Sequence, residues 1–528
     1  MKGFLSALLL LAAFNSQLFA GGSSQQTELE TGMNGRLSLI GRYSTGSVNS
    51  DGGIAEIVVY NKDNRRIYLV NGALGSLDIV NAGDLRSGRF TEMSLYRRID
   101  VSALGSMHGF VYGDLTSVAI STRNKLVALA VQHPEYNMPG YIVLVDYEGN
   151  YLRHYQAGVQ PDMITFTPDE QFVLTADEGE PRQGYDGNAI DPPGSVTILN
   201  VASGEVSVVG FENFDAAQAR AALVQNGVIL NTGTRPSLDF EPEYIAVSED
   251  NRTAWVALQE ANAIAVLDIP GRRFTSVLGL GFKDHSLPQN SLDALRDGRI
   301  ELANHDLLGV YMPDGIAAVT IRGTNYVLTA NEGDAREWNN YDDIAEIRID
   351  NNRIDIINVS LKEGLNANRN YLYGARSFSI WDMSAVTSGS GLASLVYDSG
   401  NDFERITAEL FPENFNASHT NNELDSRSGR KGPEPEYISI LRAGNRIYAV
   451  IGLERIGGIM VYDISNPQAP VFYDYINTRD FSQSALEEMG DLGPEGLYAV
   501  EARDSPTRHS LIFVANEVSG TISAYEMR

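Results

Sequence analysis

Two near-copies of one octapeptide, a strand–turn grammar that recurs seven times and a Gly- and Tyr-rich composition predict an all-β fold, a seven-bladed β-propeller with loop and helix insertions. The octapeptides are Thr175-Ala176-Asp177-Glu178-Gly179-Glu180-Pro181-Arg182 and Thr329-Ala330-Asn331-Glu332-Gly333-Asp334-Ala335-Arg336. Each follows an apolar run, keeps Thr-Ala, Glu-Gly, an acid and an Arg, and is soon followed by Tyr-Asp, at 185–186 and 341–342. Agreement at fixed offsets marks an internal repeat. The 50 Gly and 25 Tyr, with β-branched runs between turn residues, favour strands over helices.

A chain of 528 residues with 43% hydrophobic and 20% charged residues buries a core. Its formal charge of -28 argues against nucleic-acid phosphates and anionic lipid as partners, and suits cations, basic partners or simple solubility. Met1-Lys2, an apolar run over 4–14 and Gln17-Leu18-Phe19-Ala20 before Gly21-Gly22 read as a cleavable signal peptide over 1–20. That run falls short of the roughly 20 residues of a membrane span, and no later segment reaches that length without charges. A soluble monomer, secreted or periplasmic, is the expectation. No Cys is present, so disulfides, thiolate metal sites and cysteine nucleophiles are excluded.

Residues 21–36 are polar and Gly/Ser-rich and read as a flexible segment; 37–528 read as a single domain. The recurring unit is a turn with Pro or an acid, an apolar strand, a polar turn, a second strand ending in an acid or amide, then a third ending at an acid or Asn. The seven instances are 55–60, 66–71 and 75–81; 115–121, 126–132 and 140–146; 163–167, 172–178 and 195–200; 244–247, 253–260 and 263–268; 316–321, 326–332 and 377–382; 437–441, 446–454 and 458–463; 497–500, 511–517 and 520–526. Radial repetition of small sheets removes long exposed edges, and seven lies within the usual 4–8 blades. A strand near 39–43 is expected to close the ring by completing the last blade.

Three segments interrupt the rhythm. Residues 211–236 hold a helical pattern begun by Asp215 as an N-cap; 282–312 hold His285, His305 and an expected helix over 291–297; 402–433 are polar and hold His419. Long insertions between strands shape the binding face of such a fold.

The strand-end acids Glu178, Glu332 and Glu517, with Glu260, Glu454 and Gln132 placed equivalently, predict a ring of acids near one channel mouth. Asp162, Glu241, Glu243, Asp314, Glu434, Glu436 and Glu495 in the preceding turns, and Asp334 beside the repeat, add hard oxygen donors. Such a set suits Ca²⁺, which takes about 6–8 oxygens, although no EF-hand loop is present. The same carboxylates also serve as acceptors for backbone N–H groups, with Arg182 and Arg336 pairing to them; both readings fit the spacing. Arg336 and Arg182 beside crowded acids also suit a small anionic ligand, with Trp338 and His285 as further lining candidates. Hydrolase elbows, zinc-protease helices and phosphate loops are absent.

The segments 328–338, 281–286, 373–382, 431–436, 492–497 and 515–520 together resemble the choice-of-anchor I family of exported bacterial proteins, related to the mesenchyme-specific cell surface glycoproteins of animals. The resemblance spans nearly the whole chain. It implies a seven-bladed propeller, often joined to a surface anchor or to other exported domains; here the chain ends at Arg528 with no anchor, so a free secreted or periplasmic form is expected. Some relatives carry alkaline-phosphatase-like labels. The Pro-Glu-Gly turn is also similar to one in propeller phytases, where acids hold calcium that binds phosphate. The resemblance thus implies a calcium-binding, surface-associated module, with a calcium-dependent phosphoesterase as the alternative.

Overall fold

The computed structural model describes residues 30–339, 341–384 and 393–528. The expected signal peptide and residues 21–29 lie outside them. Seven sheets of four or five strands follow one another along the chain. The first holds Val58–Asn61, Arg66–Asn71, Ser76–Asn81 and Ser94–Asp100. The second holds Asp114–Ser121, Leu126–Gln132, Pro139–Val145 and Tyr151–Val159, and the third Pro161–Phe166, Phe172–Asp177, Ser195–Asn200 and Val206–Gly210. Pro242–Val247, Thr253–Leu258, Ala263–Asp268 and Arg273–Gly279 form the fourth. Ile316–Ile321, Thr324–Ala330, Phe378–Asp382 and Ser394–Asp398 form the fifth; Pro435–Ala443, Arg446–Leu453, Ile459–Asp463 and Val471–Ile476 the sixth. The last sheet joins Pro494–Val500, Ser510–Asn516 and Thr521–Met527 to Leu37–Ser44 from the start of the chain.

Each sheet is antiparallel through these strands. The first strand of each packs on that of the next, and the circle closes between Pro494–Val500 and Val58–Asn61, making the fold a β-propeller around a central channel. Second and third strands are buried on both faces between neighbouring sheets, which is why they read as unbroken apolar runs without alternation. One such inter-sheet core, between the third and fourth sheets, stacks Phe211 on Phe274 at 4.0 Å beside Leu174, Ile198 and Val256.

The N-terminal strand completes the last sheet as expected, pairing Leu37 with Met527 through Ser44 with Thr521. Residues 30–36, assigned from sequence to the flexible segment, are held as well. The backbone N–H groups of Asn34, Arg36 and Leu37 donate to the buried carboxylate of Asp474.

The insertions differ from expectation in two places. A helix does form at Ala217–Gln225, but Asp215 does not cap it; its carboxylate accepts from the N–H and hydroxyl of Ser237. No helix forms over 291–297. Asp293 there accepts from the N–H groups of Leu295 and Glu301, a local turn that competes with helical bonding. The helix of the polar third segment, Asp402–Leu410, buries Phe403 and Ile406 and carries Asp402 and Glu404 in its first turn, where acids suit the dipole. Short sheets from 282–373 pack on each other around Ile229, Val310, Tyr371 and Tyr373.

Candidate functional site

The site is built by a turn that recurs at the entry to the first strands. Register places Glu56, Asp162, Glu243, Asp314, Glu436 and Glu495 at equivalent positions, two residues before the residue where regular pairing begins, and in the second sheet Thr116 stands one residue before it. Before the turn prolines, Gln160 (φ 54), Met312 (φ 42) and Glu434 (φ 51) adopt left-handed backbone, and Gly493 (φ 70) does so before Pro494. Left-handed backbone is uncommon for non-glycine residues. A second ring follows the second strands. Its members are Gly72, Gln132, Glu178, Gln259, Glu332, Glu454 and Glu517, so the fourth sheet contributes Gln259 where the sequence suggested Glu260.

The two octapeptides occupy the same place in the third and fifth sheets. Thr175 donates to Asp177 and Thr329 to Asn331, each at 2.7 Å. Asp177 then accepts from Ser195 and Thr197, whereas Asn331 donates to Ser377 and Ser379: the same contacts with the hydrogen bonds reversed. Gly333 has φ +87, and a Cβ there would lie 2.0 Å from the Gly374 nitrogen, so this position requires glycine.

The rings bring acids together across sheet boundaries. Carboxylate oxygens of Asp162, Glu178 and Glu243 lie within 4.8 Å of one another, and so do those of Asp314, Glu332 and Glu436. Each group takes the turn acid and strand-end glutamate of one sheet and the turn acid of the next. Glu178, Glu332 and Glu436 are buried, the others half-buried, and Glu436 Oε2 has no hydrogen-bond partner among the described residues. Burial, then the neighbouring Glu332, pushes Asp314 up to about 7; burial, then Glu180, does the same for Asp162. Glu178, Glu243, Glu436 and Glu495 are held well above the usual carboxylate range, chiefly by burial and then by one another's charge or that of neighbouring acids. Glu56 belongs to the same ring and is raised likewise; sequence reasoning missed it because Ala55 stands where other sheets have the signalling proline.

Cations compensate the mouth unevenly. Against its burial, Glu434 is held well below the usual range by Arg427, Arg455 and Lys431. The Lys431 ammonium lies 2.5 Å from Glu332, 3.0 Å from Glu434 and 3.6 Å from the exposed Asp334. Gln259 donates to the other Glu332 oxygen at 2.8 Å. These cations were not among the sequence candidates, although the 431–436 segment carries Lys431. Together with Arg430, Tyr373, Asp334 and Asp355 they line a cavity of about 220 Å³.

The remaining sequence candidates separate. Arg182 is partly exposed and pairs with Glu180 at 2.9 Å and Glu178 at 3.8 Å. Arg336 is 3% exposed and spends its fork inside the protein, on Asp239 and Glu241 at 2.9 and 3.0 Å and on the Asp239 carbonyl at 2.7 Å. It ties the 211–240 insertion to the octapeptide. His285 is buried, its Nδ1 2.7 Å from the Asn290 carbonyl, and burial, then Lys283, pushes its pKa down to about 3, so it stays neutral. Trp338 is half-buried in the short hairpin of Glu337–Trp338 and Tyr341–Asp342. Glu495 and Glu517 sit in their rings on the last sheet. Past the acids, Tyr244 and Tyr437 meet edge to face at 5.0 Å, and the first strands line a cavity of about 440 Å³.

Among the described residues no helix is long and apolar enough to cross a membrane. Gigasin-3a of Magallana gigas is 28% identical over 172 residues, which is 30% of this chain and 57% of that protein's length. Among solved structures, Kuenenia stuttgartiensis hydrazine synthase is similar at a TM-score of 0.46 and 12% identity, covering 92% of this chain and 98% of that one. The β-propeller domain of Myceliophteria thermophila Cps50 (Swd1) is similar at 0.45 and 8% identity, covering 92% and 100%. The sequence model of the Choice-of-anchor I domain matches residues 56–371 and 348–467, most of the chain, and the chain therefore belongs to the choice-of-anchor I family.

Proposed function

We propose that the acidic channel mouth of this surface-type propeller binds divalent cations, with calcium the best fit, and that the protein works as a cation-dependent binding module. The observation that carries this is the Asp314–Glu332–Glu436 group, in which a buried carboxylate oxygen lacks any donor among the described residues while two more acids stand within 4.8 Å. Carboxylates so placed need a shared proton or a cation, and an all-oxygen set suits a hard ion. The repeat of the arrangement at Asp162–Glu178–Glu243 supports the same role there. Calorimetric titration of chelator-treated protein with Ca²⁺ tests it: binding heat and a raised melting temperature are expected, and neither at millimolar ion rejects the proposal.

A second reading, a metal-dependent phosphoesterase, is favoured by the cavity beside Glu332, where Arg427, Arg430, Lys431 and Arg455 face Asp334. These donors suit a phosphoryl group next to a bound ion. Arg336 is buried away from this cavity, so these cavity-lining cations replace it as the phosphate-holding candidates. Phosphomonoester turnover that disappears with chelator and falls in Arg427→Ala supports this reading; no turnover with any metal removes it.

A further inference from the structure

The mouth holds one group whose chemistry differs from the all-oxygen acids. His419 comes from the 402–433 insertion, Glu454 from the end of the second strand of the sixth sheet, and Glu517 from the same place in the last sheet. The Nδ1 atom of His419 lies 3.0 Å from Glu454 Oε1 and 3.9 Å from Glu517 Oε1, and one ligand atom from each residue lies within 4.8 Å of the others. Metal–ligand bonds of about 2.0–2.2 Å in a tetrahedron separate neighbouring ligand atoms by roughly 3.4 Å. The observed distances bracket that value.

The loop that carries His419 is pinned from outside. Arg479 is 6% exposed and, among the described residues, pairs with no carboxylate; its fork donates to the carbonyls of Ser418, Asn421 and Arg455 and to the Asn422 side chain. Asn422 in turn donates to the carbonyls of Phe481 and Gln483. A buried guanidinium spent on loop carbonyls is costly, and here it fixes residues on both sides of one histidine. The glutamates are fixed too: the Gly53 N–H donates to Glu517, and Arg455 holds Glu454 at 2.7 Å. Arg455 Nη1, which holds Glu454 Oε1, also lies 2.8 and 2.9 Å from the two ring nitrogens; an incoming ion displaces Nη1 from both ligands while Nε stays on Glu434 at 2.9 Å.

We infer that His419, Glu454 and Glu517 form a second metal site, selective for a borderline transition ion such as zinc rather than for calcium. An imidazole nitrogen with two carboxylates suits zinc, manganese or iron and is a poor set for calcium. Three protein ligands leave a coordination position for water or a ligand oxygen.

The test uses the full-length exported protein after chelator treatment. Zinc titration should show one equivalent of tight binding that excess Ca²⁺ does not displace. Substitution with Co²⁺ should give visible bands that report the nitrogen ligand. His419→Ala should weaken zinc at least about 100-fold, the scale on which even outer-shell partners matter, and leave calcium binding heat unchanged. Glu517→Gln, which keeps the loop and its shape, should weaken zinc as well. Absence of zinc binding in the wild type would mark the group as an ion pair only and overturn the inference. Zinc binding that survives in both variants, or that calcium displaces completely, overturns it equally.

Discussion

Glu436→Gln removes one of the three crowded carboxylates from the Asp314–Glu332–Glu436 group while keeping the side-chain shape. At an effective dielectric of about 20, two carboxylates 4.8 Å apart repel by about 3.5 kcal/mol. A proton on Asp314 and the Lys431 ammonium 2.5 Å from Glu332 offset most of this, leaving a relief on the order of 1 kcal/mol in the metal-free protein. Unfolding entropy of about 2.1 cal/mol/K per residue scales to roughly 1.1 kcal/mol/K for 528 residues, so the metal-free variant should melt about 1 °C above wild type. Calcium behaves in the opposite sense. At 100 times its dissociation constant an ion adds about 2.7 kcal/mol, or roughly 2–3 °C. A first ligand lost costs at least about 100-fold in affinity, which cuts that contribution to about 0.4 kcal/mol at the same concentration. Scanning fluorimetry with chelator and with calcium should therefore show the variant higher without calcium and its calcium-induced rise smaller by about 2 °C. A metal-free variant that melts lower, or one that keeps the full calcium shift, refutes the reasoning.

Three further outcomes follow from the same geometry. Asp162 and Asp314 hold protons up to about pH 7 and Glu517, through burial and then Glu454, up to about 8, whereas unfolded carboxylates titrate near 4. Between those values the folded state binds more protons than the unfolded, so metal-free stability falls as pH rises. The melting temperature in chelator should be higher at pH 5 than at pH 8, and calcium should flatten the difference; a rise from pH 5 to 8 in chelator contradicts it. Arg336→Met strands Asp239 and Glu241 without their counter-ion, costing about 3–5 kcal/mol, so denaturant unfolding should shift by that amount and Arg336→Lys should not restore it fully. Deleting the chain before residue 46 removes the fully buried Leu37, Leu39 and Ile40, worth at least about 5 kcal/mol together. Limited proteolysis should then cut the last sheet first, and unchanged resistance counts against ring closure by this strand.

Second and third strands were legible because both faces are buried, so their residues are almost all apolar. The fourth strands were not. Ser94–Asp100 exposes its first five positions, aliphatic Leu95 and aromatic Tyr96 included, and an outer strand with one wet face carries too weak a pattern to separate from loop. Strand-end acids were legible to within a residue, failing at Gln259 beside Glu260, since the end of pairing is set by register and not by composition. The divergent fates of Arg182 and Arg336 could not be read at all. Their octapeptides match, and the difference lies in Asp239, brought from an insertion nearly a hundred positions away.

That divergence also decides how the mouth is charged. In the arc from the fifth to the sixth sheet, Lys431 stands between Glu332 and Glu434 as a tethered cation, and Gln259 takes the second Glu332 oxygen. In the arc from the third to the fourth, the nearest counter-charge to Glu178 is Arg182, at 3.8 Å and partly exposed. Among the described residues an external ion at Asp162–Glu178–Glu243 meets no buried cation paired to these acids, whereas one at Asp314–Glu332–Glu436 must share Glu332 with an ammonium. Calcium isotherms should therefore resolve a tighter and a weaker class of site. Glu178→Gln should remove the tighter class and Glu436→Gln the weaker, while Lys431→Met should draw the two together by freeing Glu332. If Lys431→Met leaves the weaker class where it was, the ammonium is not the competitor and the asymmetry of the mouth has another source.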